Sequence, residues 1–403
     1  MQFQNKHLSN NRSIQIRTLR KICLPTNLAD KIKDKCINHS NLLLMTEYAV
    51  KNGLAPLFRS GLVSHLSLSS LNIFHDPSID KECPIEIESE LVETLNNYYF
   101  TILKRNFYIQ SFLEKLDKAL SGTDIKCILW KGASLIQEVY PEIALRPMED
   151  IDILISNNDL EKFKDILLGM GCKSKPEYPL TWQYNEIIID LHTDVVHGDR
   201  ISGRLNAIKI TTDKLAIESI PISGFNSLVT LSPHDHLICM AVHALKHGFN
   251  MDIWLADAFY LIDKYPDIIS RPEKLSQRAI DLKATFPLYI LISLLEMWPQ
   301  NLDLSFVKHL YPARSGFFTR HFLKSLSQLK QVPNAGEIFY IVMIGSFRKR
   351  LLFLLETMFP SRLVMKQLYP NRNIIPFWFY YPHRLYTLTL MFLETTKSMI
   401  RLS

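Results

Sequence analysis

The sequence predicts an α+β protein in which a strand-bearing core lies between an N-terminal and a C-terminal helical region. Three observations carry this expectation. Up to residue 120 apolar residues recur at helical spacing; from 121 to 225 the pattern changes to short apolar runs, glycine turns and period-two alternation; from Ser232 the helical spacing returns. The expected limits are 1–120, 121–225 and 226–403, and a chain of 403 residues exceeds what one ordinary core supports.

The N-terminal region is clearest at its end. Leu91, Leu95, Tyr98, Ile102, Ile109, Phe112, Leu116 and Leu120 follow one another at steps of three, four or seven, which is one buried helical stripe. Asn106 falls inside that stripe, as a hydrogen-bonded interface amide or as a polar group aimed at a neighbouring site. The core opens with the loop Ser121 to Asp124, the apolar run Ile125 to Trp130, and Lys131-Gly132-Ala133-Ser134 leading into a helical pattern, so it reads as strand, glycine turn, helix. A loop from Pro141 to Pro147 precedes a strand from Asp150 to Ile155, a helix from Asp159 to Gly169 or Gly171, and a strand or hairpin within Trp182 to Val196. In the C-terminal region Ser232 is the expected N-cap, with Pro233 at the first helical position. Gly248 and Asn250 separate that helix from one carrying Ile253, Trp254, Leu255, Ala258 and Leu261, and Pro360, Pro370, Pro376 and Pro382 are expected to cut the tail into short aromatic pieces.

A hydrophobic fraction of 47% with 21% charged residues is that of a globular protein. Only the first dozen residues, with Asn5, Asn10, Asn11 and Arg12, are expected to be loose. Basic residues near the start have no apolar segment behind them, and no uncharged run is long enough to cross a bilayer, so a cytoplasmic protein is expected. Cys23, Cys36, Cys83, Cys127, Cys172 and Cys239 lie far apart without a CxxC pair, which fits reduced thiols and no zinc module.

Chemistry concentrates in the core. Alternate side chains of a strand share a face, so Asp150 and Asp152 project together while Ile151, Ile153 and Ile155 project into the interior. Two carboxylates so placed are a ligand set for a hard divalent cation such as Mg2+, with Mn2+ as a substitute; the plainer reading is a solvated edge strand. The preceding turn adds weight, because Gly132 permits close backbone approach and a helix start with Ser134 offers N–H groups and a hydroxyl to phosphate. A phosphate anchor beside a carboxylate pair is what phosphoryl or nucleotidyl transfer requires.

With these residues in view the chain resembles the nucleotidyltransferases of the DNA polymerase beta superfamily. That superfamily is marked by a strand, a Gly-Ser-type turn into a helix, an Asp-x-Asp strand and a third acid on a later strand. Leu129 to Leu135, Tyr140-Pro141, Leu145 to Ile155 and Ile189-Asp190-Leu191-His192 resemble more closely the bacterial group described as uncharacterised nucleotidyltransferases. The likeness extends to Ala49, Gly53, Ala55, Pro56 and Leu57 and to the region of His243 and His247. The resemblance implies a nucleotidyltransferase-fold mixed sheet, Asp150 and Asp152 as metal ligands, Gly132 and Ser134 as phosphate contacts, and Asp190 as the third catalytic carboxylate. One departure is Ala133, which stands directly after the first glycine where the superfamily usually has glycine or serine. Glu186 and Asp194 share the strand face of Asp190 and rank behind it, since Asp190 closes the apolar run Ile187 to Ile189.

Lys131 and Arg146 are candidate nucleotide or phosphate contacts, with ordinary salt bridges as the alternative for both. His236, His243 and His247 stand at spacings of seven and four; lacking an adjoining acid in a metalloprotease pattern, they read as packing histidines rather than zinc or manganese ligands. Trp254 and Asp257 belong to the stretch that the resemblance suggests closes over the nucleotide.

The expected reaction is transfer of a nucleoside monophosphate from an NTP, ATP by default, to an acceptor hydroxyl on a protein, peptide, small molecule or RNA, with pyrophosphate released. Two readings stand beside it. One is a regulatory module that binds Mg-NTP without turnover. The other is a peripheral protein of membrane or polyanion surfaces, suggested by nine Lys and Arg (Arg348, Lys349, Arg350, Arg362, Lys366, Arg372, Arg384, Lys397, Arg401) against Glu356 and Glu394 after Tyr340, in a chain of net charge +6.

Overall fold

The computed structural model describes residues 13–28, 39–66, 89–310, 316–330, 332, 335–369 and 377–400. The first dozen residues, Cys36, Cys83, Pro370, Arg372, Pro376 and Arg401 lie outside them. The N-terminal region consists of α1 (residues 13–22), α2 (His39–Lys51), α3 (Ala55–Leu66) and α4 (Ser89–Leu120). Helix α4 follows the apolar stripe: Leu91, Leu95, Ile109, Phe112, Leu116 and Leu120 are buried, while Tyr98 turns partly to solvent. Its two halves serve different cores, since Leu91 and Leu95 join the large helical core and Ile109 to Leu120 pack under the sheet.

The core is α+β. It comprises β1 (Cys127–Trp130), α5 (Gly132–Glu138), β2 (Asp150–Leu154), α6 (Leu160–Gly169), β3 (Lys173–Lys175), β4 (Tyr178–Tyr184), β5 (Ile187–His192), α7 (Thr212–Ile217), β6 (Ile220–Pro221) and β7 (Leu228–Thr230). The seven strands form one mixed sheet in the order β3-β4-β5-β2-β1-β7-β6. β2 runs antiparallel to β1 and parallel to β5, and β1 runs parallel to β7. β4 and β5 form a hairpin whose two-residue turn, Asn185-Glu186, places Asn185 at φ 52°, a conformation asparagine tolerates.

Period-two alternation divides the central strands between two cores. Cys127, Leu129, Ile151, Ile153, Ile189 and Leu191 pack with α4 and with Phe163 and Leu167 of α6. Ile128, Trp130 and Leu154 pack on the opposite side, with the helices of the N- and C-terminal regions. Asp150, Asp152, Asp190 and His192 are in phase with this second set, so they point at the seam between sheet and helices.

The C-terminal region begins with α8 (Pro233–Lys246), where the Ser232 hydroxyl accepts from the Asp235 N–H. It continues with α9 (Ile253–Lys264), α10 (Asp267–Ser270), α11 (Pro272–Asp281) and α12 (Thr285–Glu296). Then follow α13 (Gly316–Ser327), α14 (Ala335–Met343), α15 (Phe347–Met358), α16 (Arg362–Leu368) and α17 (Tyr380–Ile400). Pro360 separates α15 of 12 residues from α16 of 7, in line with the expected short pieces, but Pro382 departs from that expectation. It sits in the first turn of α17, where a missing N–H costs nothing, and the helix is 21 residues long in all.

Candidate active site

Strand β2 sits beside β5 with Asp152 opposite Asp190 and Asp150 opposite Ile188. Neighbouring strands are roughly 4.8 Å apart, so this register brings Asp190 next to Asp152 on one face, with Asp150 one alternation along. The flanking acids do not join them. Glu186 is exposed in the hairpin turn, and the Asp194 carboxylate accepts the N–H groups of Val196 (2.8 Å) and Gly198 (3.0 Å), which closes a turn of its own.

The three carboxylates differ in their surroundings. Asp152 is 5% exposed; its Oδ1 accepts from Lys131 Nζ at 2.6 Å and lies 2.8 Å from His192 Nε2. Burial opposes its charge, but Lys131 and His192 together hold its carboxyl well below the usual range. Asp150 is half-buried, and its carboxyl is pushed up to about 6 by burial and by the negative charges of Asp152 and Asp190, against the pull of Lys131 and Arg146. Asp190 keeps a buried Oδ1 with no hydrogen-bond partner among the described residues.

Lys131 lies between β1 and α5 at φ 54°, a backbone state that costs a non-glycine residue about 1–3 kcal/mol and is found where function holds it. That turn lays its ammonium 4.3 Å from the centre of the Trp130 ring and onto Asp152. Gly132 is packed closely by the 146–148 loop: a Cβ there would meet Met148 at 3.2 Å and Arg146 at 3.3 Å. Ser134 differs from the expectation of a phosphate contact. It is fully buried, and its hydroxyl is hydrogen-bonded to that of Thr230 on β7, so it ties α5 to the sheet and does not face the carboxylates.

Arg146 is also engaged within the protein. Its guanidinium grips both oxygens of Asp257 on α9, Nη2 at 2.8 Å and Nε at 3.0 Å, and Asp257 further accepts from the Tyr140 hydroxyl at 2.7 Å. All three groups are buried, so this is an internal link between core and C-terminal region, not a surface salt bridge. Asn106, fully buried on α4, donates to the carbonyls of Ile143 and Arg146 and so holds the loop entering β2.

The facing wall is basic and aromatic. His243 and His247 lie 4.8 Å apart against Trp254, and a small cavity between the two sides is lined by Lys131, Arg146, Met240, His243, Trp254 and Asp257. His243 is held neutral by burial and by the nearby Lys131, His247 and Lys246, while His247 is lowered to about 4 mainly by burial. Lys246 is lowered to about 7 by burial and by the charges of Arg204, Lys131 and Arg200. His236 sits apart, buried, with Nε2 lacking a partner among the described residues. Among the described residues no three His, Cys, Asp or Glu side chains are already grouped as a metal site. Sequence reasoning did not single out Lys246 or the His192 contact; only the even spacing of His192 from Asp190 pointed toward the latter.

A larger cavity of about 840 Å³ lies between α1, α2, α12 and the end of α13, with Arg20, Tyr48, Asp252 and Trp298 in its wall and none of these carboxylates. No described helix is long and apolar enough to cross a membrane. No curated protein and no solved structure matches this chain. The profile of one family, described as uncharacterised nucleotidyltransferase, matches residues 41–299, a span holding the sheet, its carboxylates and the facing helices α8 and α9. The chain belongs to that nucleotidyltransferase family.

Proposed function

We propose that this nucleotidyltransferase is a magnesium-dependent enzyme that moves a nucleoside monophosphate from an NTP, with ATP the default donor, to an acceptor hydroxyl and releases pyrophosphate. The observation that carries this reading is the register pair Asp152 and Asp190 with Asp150 on the same strand face. The order of strand, turn, helix and Asp-x-Asp strand fits the DNA polymerase beta type of that chemistry.

The residues fit a divalent cation on two counts. Asp190 has a buried oxygen without a partner, and Asp150 is repelled by both neighbouring carboxylates; a cation held by Asp150, Asp152 and Asp190 relieves both. Magnesium bound there neutralises the triphosphate and makes the acceptor hydroxyl more acidic. Lys131 balances Asp152, and its ammonium would be the cation nearest a phosphate held at these carboxylates. His192 keeps Asp152 oriented. Lys246, together with Lys131, gives the wall a positive field that draws an anionic polyphosphate into the seam. Arg146, held by Asp257, adds its charge beside Asp150 without leaving its pair. Gly132 supplies the close backbone turn; the Ser134 hydroxyl stays with Thr230.

The test is transfer from each α-labelled NTP to acceptors in a cell extract, with and without Mg2+. Label is expected in an acceptor only with the metal, and Asp150→Asn and Asp152→Asn are expected to reduce it to background while the proteins stay folded. Parent-level transfer by either variant would falsify the carboxylate assignment.

A further inference from the structure

Helix α15 carries its apolar stripe on the outside. Successive residues of a helix turn by about 100°, so Phe347, Leu351, Leu354 and Met358 fall on one side. Phe347 is 80% exposed, Leu351 48% and Leu354 36%, whereas Phe353, on the opposite side, is the helix's buried residue. Leu363 of α16 (40%) and Trp378 just before α17 (63%) are exposed as well. α17 is fastened to the end of α15 by Tyr381, which donates to the Pro360 carbonyl, and by Arg384, which donates to that of Thr357. Large apolar side chains exposed together on one helix face mark a binding surface.

Charge selects the occupant. Arg348 is exposed at one edge of the stripe, about 100° round from Phe347, Lys349 is exposed on the side away from it, and Lys366 is exposed on α16; the sequence from Phe347 to Lys397 carries no aspartate and only Glu356 and Glu394. Glu356 is turned inward, accepting from Ser202 Oγ at 2.7 Å and the Gly203 N–H at 2.8 Å. A second copy of the chain would set this basic patch against itself, because a two-fold interface brings the same surface together from both sides. An outward apolar stripe edged by arginine, on a basic surface whose Glu356 is turned inward, is instead the form of a helix that lies in the plane of an anionic bilayer surface. We propose that α15 docks the protein peripherally on anionic lipid, with Phe347, Leu351 and Leu354 entering the headgroup boundary and Arg348 on the lipid phosphates. The proposal is independent of the carboxylate site and of nucleotidyl transfer.

The full-length protein should float with vesicles of phosphatidylcholine containing about one-third phosphatidylglycerol and stay behind with phosphatidylcholine alone. The surface variant Phe347→Ser/Leu351→Ser/Leu354→Ser should unfold at the parent temperature and lose roughly tenfold or more of its partitioning at any salt concentration. Arg348→Glu should lose several-fold at low salt and approach the parent at high salt, as screening removes the attraction. Absence of flotation with anionic vesicles, or parent-level binding by the triple serine variant, overturns the proposal. So does a parent that sediments as a dimer and is made monomeric by the triple variant, since a second copy then covers the face.

Discussion

Asp150 and Asp152 are the same residue type two positions apart, and their environments give them opposite effects on stability. The Asp150 carboxyl is raised from 3.8 to about 6 by burial and by its carboxylate neighbours, so between those values the folded protein holds a proton that the unfolded chain has released. Its contribution is therefore complete below the unfolded value and lost as pH rises through about 6; at neutral pH the charged group costs the metal-free protein about 1–2 kcal/mol after allowance for its partial solvation. The Asp152 carboxyl is depressed by Lys131 and His192, so its stabilisation is present above the unfolded value and is lost as pH falls through the folded one. Asp150→Asn should thus stabilise the metal-free protein near neutral pH, with the gain fading toward pH ~4. Asp152→Asn, which leaves the ammonium of Lys131 without its carboxylate, should destabilise it by about 2–3 kcal/mol. Denaturant unfolding in a chelating buffer measures both; shifts of the same sign would contradict the electrostatic assignment even if both variants lost transfer.

At the scale of elements, α4 does more than cover the sheet. Asn106 uses both amide hydrogens on the carbonyls of Ile143 and Arg146, fixing the turn that delivers Asp150 to β2. Asn106→Leu fills the space but strands two buried carbonyls, so a loss of about 1–3 kcal/mol is expected, together with weaker transfer because the loop ahead of β2 is released. A structure of the variant with that loop unmoved would assign the loss to packing alone. The stripe of α4, the alternation of β2 and the apolar run of β5 were legible in the sequence because each is a local period; the register of Asp152 with Asp190 was not, because matching the faces fixes only its parity and the two residues lie far apart in the chain. The hydroxyl of Ser134 was not legible: its partner Thr230 lies 96 residues away on β7. The same holds for Arg146 and Asp257, separated by 111 positions, and for the Lys131 contact with Asp152, which depends on how β1 and β2 pair. Of the proline breaks expected in the tail, that at Pro382 was misjudged for a local reason, since a proline ends a helix only when it falls beyond the first turn, and Pro382 does not.

Across the whole molecule, α9 is tied both to α1 and to the loop ahead of β2. Arg20 of α1 binds Asp252 at its start (2.7 Å), and Arg146 of the core binds Asp257 one turn and a half further on. The second link crosses the seam that holds the carboxylates, so it sets how the sheet and the basic wall face one another. A buried pair of this kind contributes little net stability against well-packed apolar residues, yet breaking it from one side leaves an uncompensated charge. Asp257→Ala should therefore cost about 3–5 kcal/mol, whereas the apolar combination Arg146→Met, Asp257→Leu and Tyr140→Phe, which removes every member of the network, should return most of that loss. Transfer separates geometry from charge. If Arg146 served only to hold α9, the refolded combination would recover activity with stability; because its positive charge also lowers the carboxyl of Asp150, stability is expected to return while transfer stays low. Full transfer by the stable combination would make the pair purely architectural and leave Lys131 and Lys246 as the cations that face the polyphosphate.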